Sequence, residues 1–168
     1  MSKKIINKVA NSGLITIDLA DYSPKSEIIE FDLQKLLLDG NILKEKDFRA
    51  ALLDFNFSIY ANKIVALFCS SNAIVPMWAY MLITVQLNNI TSEIYYGDKK
   101  AVFQKLLLQN IRLSNTSIFK NKKVIIKGCG NIPLNESLYI AITKNLQAQV
   151  SSLMFGEACS SVPVYKRK

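Results

Sequence analysis

The sequence predicts an α/β fold, an open and mostly parallel sheet with flanking helices. Three observations carry that prediction. From residue 61 onward, short apolar segments of strand length alternate with longer segments of helical character, the pattern of βαβ units. The ends of the apolar segments recur evenly: Cys69 and Asp98 are 29 residues apart, Asp98 and Cys129 31, and Cys129 and Cys159 30. About thirty residues is the length of one strand–helix–strand step. Half of the 168 residues are hydrophobic and only 20% are charged, which suits one domain with a substantial core and argues against disorder.

Residues 1–60 are less regular. "LITIDL" (14–19) and "EIIEFDL" (27–33) alternate apolar and polar residues, as half-buried strands do. "ADYSPKS" between them is turn-rich, and Asp18 and Asp21 read as solvated turn residues. "LKEKDFRAALLDF" (43–55) sets Leu43, Phe48, Leu52 and Phe55 on helical spacing. These elements are expected to form an N-terminal addition packed on the main sheet of a single domain spanning 1–168.

The regular half then runs strand 63–69 ("KIVALFC"), helix 73–87, strand 92–98 ("SEIYYGD"), helix 100–112, strand 122–129 ("KKVIIKGC"), helix 135–147 and strand 151–159 ("SSLMFGEAC"). Asn135 or Ser137 is placed to start the third of these helices. Trp78, Tyr80 and Met81 are read as core, because a helix this apolar is expected to be buried most of the way round. Tyr165 to Lys168 read as an exposed tail. A flavodoxin-like order over 61–159 would put strand 63–69 between strands 92–98 and 122–129. The strand ends would then share the C-terminal edge of the sheet, where open parallel sheets bind ligands.

Composition narrows the chemistry. There is no histidine, so His-based catalytic triads and His-containing metal sites are excluded. The net charge is +8, but the lysines are scattered, with small clusters only at Lys120–Lys123 and at the C-terminus. That pattern does not make a nucleic-acid face. The run Ala73–Val85 is too short to span a bilayer. The N-terminus has basic residues without an apolar signal core, so a cytoplasmic location is expected. Gly128 and Gly130 match two positions of a dinucleotide fingerprint, but Pro133 occupies the third, and no nucleotide cofactor is expected.

Three cysteines remain. An odd number in a reducing compartment means free, catalytic or metal-bound thiols. In the flavodoxin-like order Cys69, Cys129 and Cys159 end neighbouring strands about 4.8 Å apart, so their thiols start within roughly 10 Å. Thiolates suit zinc and iron–sulfur clusters. Three thiolates leave one position for Asp98, Glu157, water or a partner. No C-x-x-C pair is present, which points away from a simple structural zinc. Two other readings stand beside this one. Cys69, followed by "SSN" ahead of a helix, could be a reactive thiol, and Lys127 could polarise Cys129. Alternatively the cysteines are unconnected small hydrophobes.

"NKVANSGLITIDL", "LKEKDFRAAL", "CSSNAIVPMWAYML", "VIIKGC" and "GEACSSVPVYKRK" resemble a bacterial family of about 170 residues known as a domain of unknown function. The resemblance covers nearly the whole chain, and the segments of Cys69, Cys129 and Cys159 match its pattern. Ala158 departs from a proline of that pattern, which bears on the turn geometry before Cys159. The resemblance implies a cytoplasmic protein encoded beside the sulfur-mobilisation machinery of iron–sulfur cluster assembly. The leading expectation is a metal- or iron–sulfur-binding accessory protein for cluster assembly or repair, with iron–sulfur assembly proteins as partners. The alternatives are a cysteine-dependent enzyme or sulfur carrier using Cys69 or Cys129, and an interaction module without chemistry.

Overall fold

The computed structural model describes residues 13–38, 42–128 and 130–168. The fold is α/β, and the described strands pair in parallel except for one C-terminal hairpin. The chain divides into two compact units: one takes the chain up to Ser23 and from Leu106 onward, the other is Pro24–Lys105.

The unit Pro24–Lys105 holds strands β2 (Ile28–Asp32), β3 (Ile64–Phe68) and β4 (Ile94–Tyr96), with helices α1 (Glu45–Asp54) and α2 (Met77–Leu87). Its sheet has the order β2-β3-β4. β3 is central, and four of its five residues are buried. A buried strand must satisfy its backbone on both edges, and β2 and β4 do so in register, Glu30 and Tyr95 both standing opposite Ala66. Phe31 anchors the core, with its ring 5.2 Å from Phe55 and 5.3 Å from Tyr60. α1 is amphipathic and buries Phe48 and Leu52. α2 begins immediately after Pro76, whose fixed φ suits a helix start and whose ring keeps the preceding residue extended.

The other unit holds β1 (Leu14–Ile17), β5 (Lys123–Ile126), α4 (Glu136–Gln147), β6 (Ser152–Glu157) and β7 (Ser160–Lys166). The boundary between the units falls within α3 (Lys99–Leu113). The sheet order is β1-β5-β6-β7. Val124, Ile125 and Leu153 are completely buried, and so are Ile142 and Leu146 of α4. Asn135 caps α4 by accepting the Leu138 N–H at 3.3 Å. Asp18 accepts the Ala20 N–H at 2.9 Å and pairs with Lys127 Nζ at 3.0 Å. It is therefore a fixed strand-end group rather than a solvated one. The backbone and Lys127 bonds hold its carboxyl below the usual range.

The strand order corrects the flavodoxin-like expectation. β3 pairs with β2 and β4, while β5 pairs with β1 and β6. The two segments read as an N-terminal addition are integral strands, one in each sheet. Periodicity marks a segment as a strand but does not say which strand fills its edge. The C-terminus is a second correction. Tyr165 and Lys166 lie in β7, antiparallel to β6, and the Arg167 guanidinium donates to Asn121 Oδ1 and to the Ala148 carbonyl, both at 2.8 Å. The segment is exposed as expected, but it is not a loose tail. Pro163 is tolerated because β7 is an edge strand. A third correction concerns α2: Ala79, Ile83 and Leu87 are buried and Trp78 and Tyr80 half-buried, but Met81 is exposed. Among the described residues no helix is long and apolar enough to cross a membrane.

The β6–β7 turn depends on Gly156, at φ +115°. A Cβ there would lie 2.7 Å from the Ser160 carbonyl oxygen. Gly156→Ala should destabilise the protein by about 1–3 kcal/mol. Gly130→Ala, whose Cβ would meet nothing closer than 3.6 Å, should stay within about 0.5 kcal/mol. Urea melts of the two variants measure the difference.

Candidate functional site at the Cys69 cleft

β3 ends at Phe68, and the chain leaves the sheet as Cys69-Ser70-Ser71-Asn72 before α2 begins at Met77. One carboxylate fixes the first turn of this loop. Asp32 ends the neighbouring strand β2 and stands opposite Phe68. Its Oδ1 accepts the N–H groups of Ser70 and Gln34, both at 3.0 Å, and its Oδ2 accepts the Ser70 hydroxyl at 2.6 Å. Ser70 Oγ also meets the Gln34 side-chain amide. Burial pushes the Asp32 carboxyl up, but the Ser70 hydroxyl, the two backbone N–H groups and Lys35 outweigh it, and its pKa is lowered.

The tethered loop forms one wall of a cleft of about 720 Å³, within the range of small-molecule sites. Leu67 of β3 forms its floor with Ile94, Tyr95 and Tyr96 of β4; Met77, Tyr80 and Thr84 of α2 face them, and Cys69, Ser71, Ala73 and Val75 complete it. Among the described residues no lining side chain is charged. The Cys69 sulfur is half-buried, 3.2 Å from Ser71 Oγ, which also accepts the Ala73 N–H. Tyr80 and Tyr96 meet edge to face at 5.8 Å. Burial, with Tyr96 and Cys69 nearby, raises the Tyr80 phenol. Tyr95 donates its hydroxyl to Glu93 Oε2 at 2.6 Å, which with burial pushes it up to about 12. The phenols of Tyr80 and Tyr95 are thus neutral at physiological pH. The cleft therefore suits a neutral, largely apolar molecule beside a thiol, at the C-terminal ends of parallel strands.

The family model described as "Protein of unknown function (DUF2480)" matches residues 3–167. The chain belongs to the DUF2480 family. No curated protein and no solved structure matches it.

In this DUF2480 chain the residues singled out from the sequence divide as follows. Cys69 and Asp98 lie in the Pro24–Lys105 unit, Glu157 and Cys159 in the other. Asp98 caps α3, accepting the Ala101 N–H at 2.7 Å. Glu157 ends β6, and Cys159 is exposed in the turn to β7. Cys129 lies outside the described residues. Lys127 pairs with Asp18. Among the described residues no group of three or more Cys, Asp or Glu is arranged to hold a metal ion. The premise that brought the three thiols together, strands 63–69 and 122–129 side by side in one sheet, does not hold. Sequence reasoning missed Asp32, Ser70 and the tyrosines of β4. Asp32 carried the same signal as Cys69 and Asp98, a polar residue at the end of an apolar strand.

Asp32→Asn should loosen the loop at a cost of about 1–2 kcal/mol, because charge-assisted bonds to Ser70 become neutral ones. Since the folded-state pKa of Asp32 is depressed, its contribution is fully present above the unfolded value. It is lost as pH falls through the lower folded value. The protection of the Ser70 amide from hydrogen exchange, relative to its intrinsic rate at each pH, should therefore be high at neutral pH, fall in strong acid, and already be low in Asp32→Asn at neutral pH.

Proposed function

We propose that this protein presents Cys69 as a working thiol beside an apolar small-molecule cleft, as a cysteine-dependent enzyme or sulfur carrier for a neutral hydrophobic ligand in a reducing cytoplasm. The observation that carries the reading is the position of the Cys69 sulfur on the cleft wall, in a loop clamped by Asp32. The uncharged lining disfavours phosphorylated or carboxylated ligands, which need a counter-charge when desolvated. Ser71 is close enough to hydrogen-bond the sulfur. Cys159, exposed in its turn, supplies an internal reference. In limited alkylation with a series of N-alkylmaleimides followed by peptide mass spectrometry, the Cys69 rate should rise with alkyl length while the Cys159 rate stays flat. Equal responses at the two cysteines would remove the cleft from the reading.

A second reading has its own support. β5 and β6 are parallel neighbours with Ile126 opposite Phe155, so the segments bearing Cys129 and Glu157–Cys159 follow strands that end on one sheet edge. Under this reading Cys129, Cys159 and Glu157, all in the unit that holds β5 and β6, hold zinc or an iron–sulfur cluster. The protein would then serve cluster assembly or repair with iron–sulfur assembly proteins as partners. Thiolate donors fit both centres. Anaerobically purified protein should contain metal that a chelator removes without lowering the melting temperature, and Cys159→Ser should abolish it. Metal-free protein from anaerobic cells, or metal content unchanged in Cys159→Ser, would reject this second reading.

A further inference from the structure

α2 contains no charged residue, and neither does any position between Lys63 and Glu93. A helix that is apolar all round is ordinarily buried all round. α2 is not. Ala79, Ile83 and Leu87 are completely buried, whereas Met77, Met81 and Val85 are 73%, 66% and 61% exposed. Each exposed residue is two positions from a buried one, about 200° around the helix, so the exposed three form a ridge on the face opposite the core. Ile74, just before the helix, and Tyr96, whose ring meets Tyr80, are also exposed and extend the apolar surface. Contiguous exposed apolar surface of this kind marks an interaction site.

We propose that this ridge is the contact between two copies of the chain, paired about a two-fold axis. Charge selects the occupant. The chain carries +8, so most of its faces repel their own copy. A two-fold contact sets each patch against a copy of itself, so a patch dominated by one sign of charge faces like with like, whereas a patch without charge does not. The segment between Lys63 and Glu93 meets that condition. An acidic partner or nucleic acid would find no cation on it. A ridge of residues spaced by four packs against its own copy at about 50°. Asn72, Asn88 and Asn89 are exposed and uncharged at its margins, the character of a polar rim. The ridge borders the Cys69 cleft through Met77 and Tyr96, so pairing would place both clefts beside the contact.

Sedimentation velocity over a concentration series, with Met81→Glu and Met81→Lys variants, tests this. The wild-type chain should show a monomer–dimer equilibrium that tightens with added NaCl, as screening relieves the repulsion between two cationic chains. Either variant alone should weaken the dimer by roughly 100-fold, with an unchanged melting temperature at low concentration. Mixing the two variants should restore association as a heterodimer. A wild-type chain that stays monomeric throughout, or a dimer indifferent to both variants, would overturn the proposal. So would a lowered melting temperature in a monomeric variant, which would mean that the chain covers its own ridge. Capture of a different protein by the ridge of a monomeric wild type would overturn it as well.

Discussion

A buried strand cannot leave either edge without hydrogen bonds, and two strands in this chain are buried. β3 ("IVALF") buries its first four residues and β5 ("KVII") its last three. Each unpaired N–H or C=O in such a strand would cost on the order of 1–3 kcal/mol. β3 takes β2 and β4 as partners, and β5 takes β1 and β6. That demand is met in two sheets, one around each buried strand. The same demand brings the end of β2 alongside the end of β3, where Asp32 can reach Ser70. The loop geometry, and through it the wall of the cleft, descends from the edge-filling of β3.

The class of each element was legible because periodicity reports burial directly. "LITI", "IIEFD", "IVALF" and "KVII" are all strands, and the bounds of α1, α2, α3 and α4 all fall within four residues of the segments read as helical. Neighbour relations were not legible. The edges of β1, β2, β4 and β6 present the same backbone groups, and side-chain alternation says nothing about which of them meets β3. β7 was missed because its side chains are mostly exposed and Pro163 interrupts it, so its stability comes from main-chain pairing to β6 and from Arg167. Met81 was misassigned by the same measure that identified α2, since mean hydropathy cannot tell a helix wrapped by core from one covered on one side only.

The candidate site shows a similar split. A strand-end rule found Cys69 and Asp98, and the structure gives the two distinct work: Cys69 lines a cleft, while Asp98 starts a helix. The rule would also have found Asp32 had it been applied before residue 61. The cleft itself was not legible. It depends on the side chains of β4 and α2 converging beside Leu67, and that relation exists only once β4 is set beside β3.

The chain order of the strands has a consequence for synthesis. Leu14 pairs with Lys123, 109 positions later, and all of Pro24–Lys105 lies between them. Translation proceeds at about 5–20 residues per second, so β1 emerges several seconds or more before its partner strand β5 exists. The inserted unit has its own core and sequential strands, and it can form while β1 waits. Closing so long a loop onto β5 costs chain entropy that grows only logarithmically with its length, and a prefolded insert shortens the effective loop further. β1, made before the other described strands, is thus among the last to be secured, and until then "LITI" is an apolar ribbon that a ribosome-bound chaperone would meet before its own sheet does.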